Sequence, residues 1–150
     1  MRRVFFVMTI VFLVCGMYSC KQANTAAKSG AAGVNSELTN KYWKLVELMG
    51  EPVVYPEGYP KEAYISFKSD GSVSGNSGCN TFHGKYVLEN VDRIRFSQMV
   101  STQMMCIDMS IETKLLQVLN TADSYYSKGD TFVLNRARMA PLARFEAVYM

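Results

Sequence analysis

Two cysteines, one histidine and a run of methionines hold most of the reactive chemistry in this sequence. Cys79 and the only histidine, His83, fall together in the stretch Gly75-Asn76-Ser77-Gly78-Cys79-Asn80-Thr81-Phe82-His83-Gly84. A thiolate needs a base in hydrogen-bond reach and a third group to orient that base, and His83 and Asp108 are the residues available for those roles. Cys79, His83 and Cys106, with Met104 or Met105, also make a soft donor set for a metal ion. The spacing lacks the short paired-ligand pattern of a metal site, so no metal and no cofactor is expected. Structural readings compete at every position. His83 reads as a surface or loop-bracing residue. Met99, Met104, Met105 and Met109 read as flexible fillers around a helix. Asp70, Asp108 and Asp130 occupy turn or cap positions, and Asn80 is expected to hydrogen-bond its own loop backbone. The chain is therefore read as non-catalytic, with a thiol-dependent enzyme or soft-metal binder using Cys79 and His83 as the alternative.

The state of the cysteines depends on compartment, and the N-terminus speaks to that. Arg2-Arg3 precedes an apolar run, Val4 to Val14, of about eleven residues. That run is too short for a span of roughly 20 residues and suits a signal peptide. It continues into Gly16-Met17-Tyr18-Ser19-Cys20. This resembles a bacterial lipoprotein signal, which implies a leader over 1–19, a lipidated Cys20, and a membrane partner reached through the lipid anchor. Ordinary signal cleavage further on, among Ala26, Ala27, Ala31 and Ala32, is the competing reading. Residues 20–37 are rich in Ala, Gly, Ser and Asn and lack aromatic residues. They read as a flexible tether. No acidic run follows Cys20, which points to a lipid-anchored position on the outer membrane, facing the periplasm.

With Cys15 in the leader and Cys20 lipidated, Cys79 and Cys106 remain as an even pair in an oxidising compartment. A bridge between them would close a loop of 28 residues, counting both ends. The chain-entropy account gives about 3–4 kcal/mol for such a loop. Two buried thiols, packing as small apolar groups, are the competing reading.

The elements that position these residues follow from hydrophobic period. Asn40 to Leu48 is rich in strand formers and holds the only tryptophan, Trp43. The proline-rich segment Pro52 to Pro60 reads as a surface loop, with its tyrosines covering a sheet edge or meeting a partner. Ala63–Lys68 alternates, Ser69-Asp70-Gly71-Ser72 is a hairpin turn, and Lys85–Leu88 and Arg93–Phe96 follow as strands. The Gly-rich stretch would be the loop joining two hairpins, and Gly75, Asn76, Ser77, Gly78 and Asn80 are its defining residues. Met109 to Ala122 carries apolar residues at Ile111, Leu115, Val118, Leu119 and Ala122, the period of a helix. Asp108 or Ser110 can cap it. Ser124–Ser127, Thr131–Leu134 and Leu142–Val148 complete the strands. The order predicts α+β: a curved antiparallel sheet of about 6–8 strands packed on one main helix, over residues 38–150.

Charge narrows the function. Sixteen basic side chains face thirteen acidic ones, and removal of Arg2 and Arg3 with the leader leaves +1. No basic cluster remains, so a nucleic-acid partner is not expected.

The Ser-Gly-Cys-Asn core, Tyr86, the run Ser101-Thr102-Gln103-Met104-Met105-Cys106 and Glu112 in the helix, occurring in that order after Trp43, resemble the META domain family, to which HslJ-like proteins belong. The resemblance spans Leu38 to Val148. It implies a small α+β domain of the cell envelope, associated with stress responses and without an assigned enzymatic activity. It departs at Thr81-Phe82-His83. The partners it leaves open are an envelope protein or an apolar ligand in a groove between sheet and helix.

Overall fold

The computed structural model describes residues 36–55, 57, 61–137 and 140–149. The expected leader over 1–19, Cys20 and the tether up to residue 35 lie outside the described residues. Ser36 and Glu37, read as the end of the tether, form an exposed turn instead.

Among the described residues, nine strands and one helix follow in order: β1 (Tyr42–Leu48), β2 (Glu51–Pro52), β3 (Tyr64–Phe67), β4 (Ser72–Asn76), β5 (Thr81–Glu89), β6 (Arg93–Ser101), helix α1 (Ser110–Thr121), β7 (Ser124–Lys128), β8 (Thr131–Asn135) and β9 (Pro141–Val148). This is the expected α+β architecture, with one strand beyond the expected range. The extra strand is β2, two residues that continue the line of β3 along the edge of β1. Pro52, expected in a loop, lies in it; an edge strand tolerates the missing donor. No helix among the described residues is long and apolar enough to cross a membrane.

The sheet is a ring. β3 through β9 pair antiparallel in sequence order, and β1 pairs with β3 on one side and β9 on the other. The closing seam is extensive, running from Tyr42–Val148 to Leu48–Ala143. The seam between β6 and β7 is not: it has one register pair, Arg93–Ser124. Backbone bonds from Ile94 N–H to Asp123 O (3.2 Å) and from Tyr125 N–H to Asp92 O (2.8 Å) brace that end. The Asp123 carboxylate supports the same corner. It accepts from Ala137 N–H at 2.6 Å and faces Arg93 at 3.2 Å. The Ala137 bond, first among its partners, holds its pKa below the usual carboxylate range. Its contribution is therefore present above the ordinary carboxylate pKa and lost as pH falls through the lowered one.

Alternation along each strand sends one face inward. Phe132 on β8 sits at the centre, with ring centroids 5.5 Å from Trp43, 5.3 Å from Phe67 and 5.5 Å from Phe145. Each such ring contributes roughly 1.5–3 kcal/mol on burial, and offset or tilted pairs add to that. The indole N–H of Trp43 donates to Leu38 O at 3.0 Å, so the buried polar atom is satisfied. Helix α1 lays its apolar stripe, Ile111, Leu115, Val118 and Leu119, against the same core.

Two further readings change. The Gly-rich loop is only Ser77 to Asn80; Gly75 and Asn76 end β4, and Thr81 to Gly84 begin β5. Gly75 is needed for close approach rather than for a turn. A Cβ there would lie 2.1 Å from Tyr64 O and 2.5 Å from the Phe82 ring. Tyr55, read as an edge-covering or partner-facing side chain, is built into the sheet. Leu45 N–H donates to Ala63 O at 2.9 Å. The return bond of that antiparallel pair runs through the Tyr55 hydroxyl, which accepts from Ala63 N–H at 3.0 Å and donates to Leu45 O at 3.2 Å. Tyr55→Phe leaves both backbone groups without a partner. It is expected to cost about 1–2 kcal/mol, seen as a lower urea midpoint at unchanged slope; coincident curves would refute the relay.

Candidate functional site

The short loop between β4 and β5 is a nested turn. Asn76 Oδ1 accepts from Gly78 N–H at 2.7 Å, and Gly78 takes φ 111°, a backbone setting that side chains resist. Ser77 N–H and Ser77 Oγ–H both donate to Asn80 O at 2.8 Å. All four residues, Ser77 to Asn80, are buried. The chemistry of the loop therefore points into the protein.

Asn80 was expected to bond within its own loop. Its main-chain carbonyl does so, but its side chain reaches across to two other elements. Its Oδ1 accepts from Met104 N–H and from Thr102 Oγ–H, both at 2.7 Å. Its Nδ2 donates to Met104 O at 2.9 Å, and to the Glu112 carboxylate at 2.9 and 3.1 Å. The Asn80 backbone N–H also donates to Glu112 Oε2, at 2.9 Å. The amide thus pairs with Met104 as a strand neighbour would. Its hydrogen-bonding groups are all engaged.

Glu112 is 5% exposed. A carboxylate at that depth needs hydrogen bonds to offset desolvation, and Asn80 supplies them. Its position within the first turn of α1 is also where the helix dipole favours negative charge. Met109 occupies the N-cap without a side-chain bond. Asp108, one of the two expected caps, instead takes the Ser110 N–H at 2.8 Å, and that bond holds its pKa below the usual range. The other, Ser110, is the first helical residue.

Cys79 and Cys106 form a disulfide, with Cα atoms 6.1 Å apart. It ties the loop to the segment leading into α1, beside the Asn80 contacts. The sulfur of Cys79 is consequently not free to act as nucleophile or ligand while the bridge stands. His83 is not brought to it: its side chain lies on the exposed face of β5. Among the described residues, no cluster of three His, Cys, Asp or Glu side chains is placed to hold a metal ion.

The bracing leaves an open groove of about 670 Å³ between β6, the 102–109 segment and α1. Met99, Met104, Met105, Met109 and Leu116 supply its apolar lining, Ser101, Thr102 and Gln103 its polar one, and the buried Asn80 and Glu112 border it. Met104 is 59% and Met105 96% exposed, so these two are not the fillers that they were expected to be. The sequence did signal Glu112, a charge on the face shared by Leu115 and Leu119, but not its partner.

Two outcomes follow. Asn80→Ala strips the buried carboxylate and Met104 of their partners and is expected to destabilise by about 3 kcal/mol, read by chemical denaturation. Replacing both cysteines by serine is expected to cost about 3–4 kcal/mol; an unchanged denaturation midpoint would show that the bridge adds nothing beyond the Asn80 contacts.

A family model described as the META domain matches residues 36–149. No curated protein matches the chain. A protein solved by NMR is similar at 21% identity and TM-score 0.58, over 73% of this chain and 91% of its own. An NMR structure of a protein from Burkholderia xenovorans gives 20% identity and TM-score 0.57, over 74% and 83%. The crystal structure of a DUF4847 family protein from Bacteroides vulgatus gives 17% and 0.52, over 73% and 93%. These are likenesses of fold.

Proposed function

The chain belongs to the META domain family, and on that premise we propose that it is a lipid-anchored, non-catalytic binding domain of the cell envelope. The observation that carries this reading is the contrast within the site. Asn80, Glu112, the Thr102 hydroxyl and the bonded cysteines are engaged in bracing, whereas four methionines and Leu116 stand along the open groove, beside Ser101 and Gln103. Methionines adapt to irregular apolar partners because their side chains are unbranched and polarizable. A groove of this size lined by them suits an apolar ligand or a segment of an envelope protein. The alternative, an enzyme or soft-metal binder using Cys79 and His83, requires a thiol that is here bonded to Cys106, and this favours binding.

The anchoring half of the proposal rests on the leader and Cys20. Acyl chains buried at about 0.8 kcal/mol per methylene would hold the protein on a membrane, on the outer membrane facing the periplasm, in a stress-response or interaction role. The near-neutral charge supports a partner other than nucleic acid.

The test reads both halves. N-phenyl-1-naphthylamine, an apolar fluorophore, is expected to bind saturably. Met105→Asp is expected to weaken it about tenfold, equivalent to about 1.4 kcal/mol, at unchanged Tm because that side chain is exposed. Cys20→Ser is expected to abolish acyl mass and move the protein out of the membrane fraction. Absence of saturable binding counts against the groove, and membrane retention of the Cys20 variant counts against the anchor.

A further inference from the structure

The outer edge of β6 is bare beside this groove. β6 shares register with β5 from Glu89–Arg93 to Phe82–Ser101, but with β7 only at Arg93–Ser124. Beyond the Ile94 bond to Asp123, no backbone bond leaves that edge between Arg95 and Ser101 among the described residues. Period two assigns the free groups. Ile94 N–H points outward to Asp123 O, so Phe96 N–H does too. Thr102 N–H points to Thr81 O on β5, so that of Ser101 faces outward.

Proteins usually guard such an edge, because a row of free donors and acceptors is a template for another strand. Here the guard is partial. The β5–β6 register shifts between His83 and Lys85, and Gln98, at φ 52°, holds a left-handed setting within β6. A bulge of this kind makes pairing with an identical edge awkward, since a second copy would present its own bulge. It leaves the edge open to a different strand. A strand laid there has its inward side chains over the groove, near Met99 and Leu116. Its outward ones meet the basic side of β5 and β6, where Lys85 and Arg95 are exposed and Glu89 is the carboxylate that contacts Arg95.

We propose that the β6 edge captures an extended segment of another envelope polypeptide, apolar at alternate positions and acidic between them, by adding it as a strand. Backbone pairing supplies the hydrogen bonds, the methionine groove takes the apolar side chains, and an acidic side chain lies opposite Arg95. This rests on the binding reading above and names the occupant of the groove.

The test uses the full chain in detergent micelles and amide exchange by NMR. The probe is an eight-residue peptide alternating valine with glutamate and threonine; a version N-methylated at every residue keeps the side chains but cannot donate. The plain peptide is expected to slow exchange at Phe96 and Ser101 at least tenfold, and the methylated one to leave both unchanged. Arg95→Glu is expected to weaken the plain peptide, and exchange of its glutamates for lysine to restore binding to that variant. Equal effects of the two peptides, protection elsewhere, or no protection would each overturn strand addition. If N-phenyl-1-naphthylamine still binds in those cases, the groove reading stands and only the strand-addition proposal falls.

Discussion

A ring of strands must pair every seam or brace the one that it leaves loose. In this protein the loose seam lies between β6 and β7, and the site follows from it. Helix α1 connects those two strands and closes the core that a complete seam would have covered. The connection between β6 and α1 would otherwise swing free. It is held by the Asn80 amide, the Glu112 carboxylate and the disulfide, three ties of different chemistry converging on one loop. Because they act on the same short segment, their contributions need not add.

Much of this architecture is legible in residue order. The alternation of Ile65 and Phe67, and of Ile94 and Phe96, gives the strands. The stripe from Ile111 to Leu119 gives the helix within one residue of its ends. Cysteine arithmetic offers Cys79 and Cys106 as a pair once two others are set aside, and the structure decides for the bridge over two buried thiols. What is not legible is long-range and side-chain-specific. Nothing in the local pattern of Asn80 tells its own carbonyl bonds from its reach to Met104 and Glu112, since asparagine favours turns in either case. Tyr55 sits among prolines that mark a loop, and its hydroxyl enters the β1–β3 ladder only because the chain returns there.

Other differences come from treating composition as position. The glycines of the 75–84 stretch suggest one long loop, yet Gly75 is a strand residue whose missing side chain admits Tyr64 and Phe82. Methionine clusters suggest core filler, and Met99 and Met109 are half-buried in that manner, but Met104 and Met105 follow the braced segment outward. Their exposure is set by Asn80 and the disulfide rather than by their own hydrophobicity.

The closing seam joins the ends of the domain. β1 begins at Tyr42 and β9 ends at Val148, so the first strand has no partner on that side until the last is made. Contacts so distant in sequence slow folding, because loop-closure entropy is lost before the pairing rewards it. A chain emerging N-terminus first can therefore pair its consecutive strands as they appear, but the ring closes only when β9 has been made.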